Sequence, residues 1–124
     1  MKRDMDLVRS ILLKVADSDE PISIDDLVDD EHSRQLIGYH ISIMRDAGLI
    51  NASITSADDD PYYECAISSL TWNGNDFLDT VRSDTVWEKT KSVVSKTVGS
   101  TAFEIVKSVA TKIGESMLMA QIGM

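Results

Sequence analysis

The apolar and polar residues switch along the chain between a helical period and a strand period. Residues 4–17, DMDLVRSILLKVAD, place Met5, Val8, Leu12 and Val15 on one helical stripe, with Leu7 and Ile11 beside it. Asp4 and Asp6 sit where a helix start favours negative charge. Pro21 and Ile22 read as a short extended piece. Ser23 follows as an N-cap with Asp26 three positions on, a short-armed capping box, and Ile22 and Leu27 fall where a hydrophobic staple closes. This pattern predicts a brief helix over 24–30. A third helix over 33–47 carries Ile37, Ile41 and Met44 as its stripe, flanked by Leu36, His40 and Ile43. Gly48 and Leu49 complete a Schellman-type end in which Leu49 can meet Met44.

After Gly48 the period becomes two. Ile50, Ala52 and Ile54 alternate with Asn51, Ser53 and Thr55, and Tyr63, Cys65 and Ile67 alternate with Tyr62, Glu64 and Ala66. SADDDP between them reads as a hairpin loop. A further helix begins at Thr71 as N-cap and turns Phe77, Leu78 and Val81 inward. Helix, short strand, helix, helix and hairpin is the order of a winged helix-turn-helix. The expected class is therefore α+β, mainly helical with a small hairpin: a winged-helix domain over 1–83 and a helical extension over 84–124.

That extension opens two segments with Thr-x-x-Glu capping boxes, TVWE at 85–88 and TAFE at 101–104. TVWEKTKSVVSKTVGS aligns without gaps over TAFEIVKSVATKIGES with seven of sixteen positions identical and Trp87 over Phe103, Gly99 lying between the two caps. Duplication of a helical unit and shared cap chemistry both account for this. Ala102, Val106, Val109, Ile113 and Met117 form one stripe, adjoined by Phe103, Ala110 and Ala120. Such a stripe completes a core or forms a seam between two copies. The surplus of Met117, Leu118, Met119, Ile122 and Met124 suits adaptable contacts and favours a homodimer seam through Val106, Val109, Ile113, Met117 and Met119. The lysines of this stretch offer a weaker membrane-surface reading.

MKRDMDLVRSILLKV at the start, GLI after the third helix, LTWNGNDFLDTVRSDTVWEKTK, and FEIVKSVATKIGESML near the end together resemble an uncharacterised family of small proteins widespread in bacteriophages and prophages. The resemblance runs nearly end to end, outside residues 51–66. It implies a winged-helix-like fold and a phage or mobile-element setting, and it brings no activity and no functional residues with it.

Charge changes the picture. The 124 residues hold 12 Lys and Arg against 21 Asp and Glu, a formal net charge of −9. Residues 1–88 hold seven basic and nineteen acidic residues, net −12, and residues 89–124 five and two, net +3. The single cysteine, Cys65, excludes an internal disulfide and suits a reducing compartment. Residues 1–20 show no apolar signal segment, and no run approaches a bilayer span, so the expected location is the cytoplasm of the host cell.

Catalysis finds little support. His32 and His40 are the only histidines, and no Cys/His metal spacing, phosphate loop or nucleophile elbow occurs, so no enzyme, cofactor or metal is expected. His40, at the edge of the stripe, reads as a packed, hydrogen-bonded side chain. DDLVDDE lacks the spacing and glycine of a calcium loop and reads as a solvated face.

The outward face of helix 33–47 shows Gln35, Gly38, Tyr39, Ser42, Arg45 and Asp46. Gln35 and Arg45 could read base edges. Yet Asp29, Asp30 and Glu31 precede the helix, and Asp58, Asp59 and Asp60 form the wing tip. Each opposes a phosphate by roughly half a kcal/mol before screening, and together they oppose docking by about a few kcal/mol. Protein is thus the expected partner. Gly38 and Ser42 would let another helix approach closely, either the chain's own C-terminal helices or a foreign one. The acidic patch would engage a basic surface of a host or phage protein, as an inhibitor or DNA mimic does. The alternative is a DNA-binding transcriptional regulator using helix 33–47.

Overall fold

The computed structural model describes residues 1–97 and 103–122. The protein has an α+β fold. Its elements run α1 (Met5–Ala16), β1 (Ile22–Ser23), a 3₁₀ turn (Ile24–Asp26), α2 (Arg34–Asp46), β2 (Ile50–Ala57), β3 (Asp60–Leu70), α3 (Trp72–Val81), α4 (Asp84–Thr97) and α5 (Phe103–Gln121). The strands form one antiparallel sheet in the order β1-β3-β2. The chain divides into two compact units, Met1–Asn75 and Asp76–Met124. That division falls inside α3, whereas the sequence pattern places it at 83/84.

In the first unit, Asp4 caps α1 by accepting the Leu7 N–H at 3.2 Å, and Met5, Leu7, Val8, Ile11, Leu12 and Val15 are buried. The capping box at Ser23 forms: its N–H donates to Asp26 Oδ2 at 3.0 Å and its Oγ accepts the Asp25 N–H at 3.1 Å. Ile22 and Leu27 are both buried, as the staple requires. The expected helix over 24–30, however, ends at Asp26. Asp29 Oδ1 takes the N–H groups of Glu31 at 2.9 Å and His32 at 2.8 Å, bonds that replace the helical ladder.

Ser33 caps α2 through the Leu36 N–H at 3.2 Å. Its far end is a Schellman motif: Gly48 N–H donates to the Arg45 carbonyl at 3.0 Å and Leu49 N–H to the Met44 carbonyl at 2.9 Å. Gly48 has φ of +76°, a value that favours glycine.

The hairpin is tighter than SADDDP suggests. Ala57 pairs with Asp60, leaving Asp58 and Asp59 as a two-residue turn. Two register slips interrupt β2–β3, between Asn51 and Ala52 and between Thr55 and Ala57. At the second, Pro61, Tyr62 and Tyr63 on β3 face only Ser56 on β2. The extra residues invert the expected alternation: Tyr62 is half-buried and Tyr63 exposed, although Cys65 and Ile67 further on are buried as expected.

Thr71 joins the sheet to α3. Its Oγ1 accepts the Gly74 N–H at 2.9 Å and its hydroxyl donates to the Gly48 carbonyl at 2.5 Å. Its N–H donates to the Leu49 carbonyl at 3.0 Å. Gly74 lies so close that a Cβ there would stand 2.0 Å from the Leu49 oxygen. Phe77, Leu78 and Val81 are buried, as the helical pattern requires.

In the second unit α4 packs against α5, and the Phe77 and Phe103 rings lie 4.6 Å apart. The cap of α4 is Ser83, whose Oγ accepts the Val86 N–H at 3.3 Å and whose carbonyl accepts the Trp87 N–H at 2.9 Å. Thr85 therefore sits inside the first turn and does not cap it. The proposed box at 101–104 begins outside the described residues, as do Gly99, Ala102 and Met124. Trp87, Thr90 and Val94 are buried on α4, and the positions aligned with them on α5 are Phe103, Val106 and Ala110, the last two buried. Both helices thus turn the same aligned positions inward.

Candidate interaction surface

The helix α2 is covered on more of its circumference than a single stripe implies. Ile37, Ile41 and Met44 are buried, and so are His40 and Gly38. Gly38 was expected on the outward face. Instead the Tyr62 ring occupies its place: a Cβ on Gly38 would come within 2.3 Å of Tyr62 Cγ. The inversion of β3 at its register slip is what turns Tyr62 onto the helix. No helix from elsewhere can dock on Gly38. Tyr39 and Ser42 are half-buried, and Gln35, Arg45 and Asp46 remain exposed.

Arg34, at the first turn of α2, was not singled out by the sequence pattern. Its guanidinium pairs with Asp25, reaches Asp60 Oδ2 at 3.5 Å, and donates to the carbonyls of Tyr62, at 2.8 Å, and Tyr63. These carbonyls belong to the β3 stretch that β2 leaves unpaired. A planar fork of donors suits several acceptors at once, and one arginine satisfies a bulged backbone and offsets two carboxylates. The available signal was its isolation: it is the only basic residue between Lys14 and Arg45, among many acids.

The six acidic candidates separate into two kinds. Asp60 is half-buried, accepts the Tyr62 N–H at 2.9 Å and faces Arg34, so it belongs to the hairpin's construction and not to a solvated tip. Asp29 is also engaged. His32 Nδ1 lies 2.9 Å from its Oδ1, and this contact, with the N–H bonds from Glu31 and His32, holds its carboxyl below the usual range. Asp30, Glu31, Asp58 and Asp59 are exposed, and among the described residues their side chains make no hydrogen bond or ion pair. Of the six, only these four are available to a partner as free charge.

His40 is packed, with Nε2 accepting the Asp4 N–H at 2.8 Å and Nδ1–H donating to the Leu36 carbonyl at 2.9 Å. Those bonds set its tautomer and tie the cap of α1 to α2. Cys65 is buried, and burial raises its thiol above the ordinary range. Among the described residues no group of His, Cys, Asp and Glu is arranged to hold a metal ion. No helix among them is long and apolar enough to cross a membrane.

The expected seam on α5 also divides. Val106 is 3% exposed and belongs to the core against α4, so it cannot face a second copy. Val109, Ile113 and Met117 are half-buried, and Met119 is exposed beside Leu118 and Ile122. An inward position every third or fourth residue explains the first half of the stripe; the exposed residues lie in the last turns.

The fold and this surface define a small α+β protein whose acidic first unit latches a hairpin onto α2. Residues 2–101 match the family described as hypothetical protein (DUF2513), and the chain belongs to that family. It is also similar to an uncharacterized protein of Haemophilus influenzae, at 33% identity over 121 residues covering 95% of this chain and 99% of that one. No solved structure matches the chain.

Proposed function

We propose that residues 1–75 form a winged helix that binds protein, without catalysis, through its acidic surface. The element order and the β1-β3-β2 pairing support the winged-helix reading, with α2 as the second helix of the motif and β2–β3 as the wing. One observation carries the choice of partner: Arg34, the cation nearest the wing, is consumed internally by Asp25, Asp60 and two carbonyls. A duplex would meet Asp30, Glu31, Asp58 and Asp59 as free charges, with Arg45 as the one unpaired cation of α2 among the described residues. The sequence-independent phosphate attraction that DNA binders rest on is missing there. This unit holds six Lys and Arg against fifteen Asp and Glu, net −9, while residues 76–124 hold six of each. A basic surface on a host or phage protein fits that field, and an inhibitor acting in the host cytoplasm fits the mobile-element motifs. Transcriptional regulation through α2 is the second reading, favoured by the exposed Gln35 and Arg45.

The test pairs capture of partners by the full chain with a duplex-binding assay near physiological salt. The variant Asp30→Asn, Glu31→Gln, Asp58→Asn, Asp59→Asn should lose the captured partner through slower association, and the parent should show no duplex binding. Sequence-selective duplex binding weakened by Arg45→Ala would replace this reading with the regulator.

A further inference from the structure

The two edges of the sheet are finished differently. On one side β1 covers β3 along Ile22–Ser23, and beside it Arg34 takes the Tyr62 and Tyr63 carbonyls. On the other side lies β2, which among the described residues pairs only with β3. Its eight residues, Ile50–Ala57, contain no charge and no proline, and Asn51, Ser53, Thr55 and Ser56 are exposed. Edge strands are ordinarily blunted by Lys, by proline or by cover, because their open N–H and C=O groups accept another strand. None of the first two devices is present in β2.

We propose that β2 is a strand-addition site and that its occupant is β2 of a second copy, joined antiparallel about a two-fold axis. The charges at the two ends of the strand select this occupant. Near the start, Arg45 is exposed and makes no hydrogen bond or ion pair among the described residues. Beyond the far end stand the free carboxylates of Asp58 and Asp59. An axis at Ser53 sets Ser53 opposite the partner's Ser53, Ile50 opposite the partner's Ser56 and Gly48 opposite the partner's Asp58, so that facing side chains share one side of the sheet. The turn of one copy then lies beside the α2–β2 junction of the other, and Arg45 meets the partner's Asp58 and the partner's Asp59. Symmetry makes the contact twice. The strand itself is neutral, so the pairing adds no like charge along its length. This surface overlaps the acidic one proposed for a foreign protein at Asp58 and Asp59 and leaves Asp30 and Glu31 outside it, so Asp30→Asn with Glu31→Gln tests the foreign contact without touching the dimer.

Sedimentation of the full chain between about 10 and 500 µM tests the proposal. The parent should self-associate reversibly within that range. Arg45→Glu should weaken the dimer at least about tenfold, and so should Asp58→Lys with Asp59→Lys. Combining all three changes restores opposite charges at both ends and should recover affinity to within about threefold of the parent. Ser53→Lys, which brings two like charges together at the axis, should give monomer with an unchanged melting curve. A parent that stays monomeric throughout overturns the proposal, as does a dimer indifferent to Arg45→Glu. A dimer that survives Ser53→Lys and is lost in Leu118→Asp with Met119→Asp also overturns it and assigns the contact to α5.

Discussion

The two units organise their backbones with different polar side chains. In residues 1–75 carboxylates work beside the hydroxyls of Ser23, Ser33 and Thr71: Asp4, Asp26, Asp29 and Asp60 each accept a main-chain N–H. In residues 76–124 hydroxyls do so, with Ser83 capping α4 and Thr80, Thr90 and Thr111 bonded back to carbonyls of their own helices. Hydroxyls leave the second unit neutral, while the first accumulates all of the net −9. Part of the acidity is therefore a by-product of how the first unit makes its turns. Net charge alone is a poor map of a binding surface; the carboxylates without a structural partner are the better one.

The largest break in this contrast should come from a residue with no charge at all. Alanine normally stabilises a helix over glycine by about 1 kcal/mol. At Gly74 the added carbon would meet the Leu49 backbone oxygen, which cannot swing aside. Gly74→Ala should cost about 3 kcal/mol or prevent folding, read from urea midpoints. A stabilised variant would mean that the α2–α3 junction is looser than the hydrogen bonds of Thr71 imply.

Arg34→Met should come next. It strands two carbonyls and leaves Asp25 and Asp60 without their cation, at a cost of about 1–2 kcal/mol after allowing for solvent around a partly exposed group. Arg34→Lys should recover only part of this, because one ammonium cannot span the four acceptors. Equal stability of all three proteins would reduce Arg34 to a surface residue and return a free cation to the hairpin.

Acid provides a finer cut. The folded Asp29 carboxyl lies below its unfolded value, so its contribution is complete above about pH 4 and is lost as pH falls through the folded value. Asp29→Ala should be less stable than the parent at neutral pH, and the gap should close toward about pH 2. The gap is small, since Asp29 is solvent-exposed, and a gap independent of pH would assign the loss to something other than ionisation. The smallest effect belongs to the four free acids. Neutralising Asp30, Glu31, Asp58 and Asp59 should change stability by less than about 0.5 kcal/mol, with any change in the stabilising direction. A clear loss would give these residues structural roles and erase the distinction on which the binding surface rests.

Local chemistry was legible in the sequence wherever a motif closes over a few residues. The Ser23 capping box, the Gly48 Schellman end and the Thr71 cap all form as their spacing requires. What escaped depended on residues distant in the chain. Gly38 looks outward on a helical wheel because a wheel contains no Tyr62, and Tyr62 turns inward only because β3 carries extra residues at a slip that alternation does not reveal. Arg34 finds its acceptors twenty-eight residues away, at Tyr62. Two errors were local. The helix over 24–30 lost to the turn that Asp29 builds, and Thr85 lost the cap to Ser83, whose hydroxyl sits one step before the helix begins. In the candidate surface, chemistry and charge were readable, but which charges were already engaged was not.

Cys65 adds a practical consequence. It is the only thiol, it sits at 4% exposure on the central strand, and burial favours its protonated form. A disulfide reagent attacks thiolate and needs access, so the intact sheet should resist labelling. Each modification then records a moment when β3 came open. Because reclosing outpaces a slow reagent, the labelling rate gives the free energy of that opening. The chain thus contains a single-residue clock for the sheet, readable without any added probe.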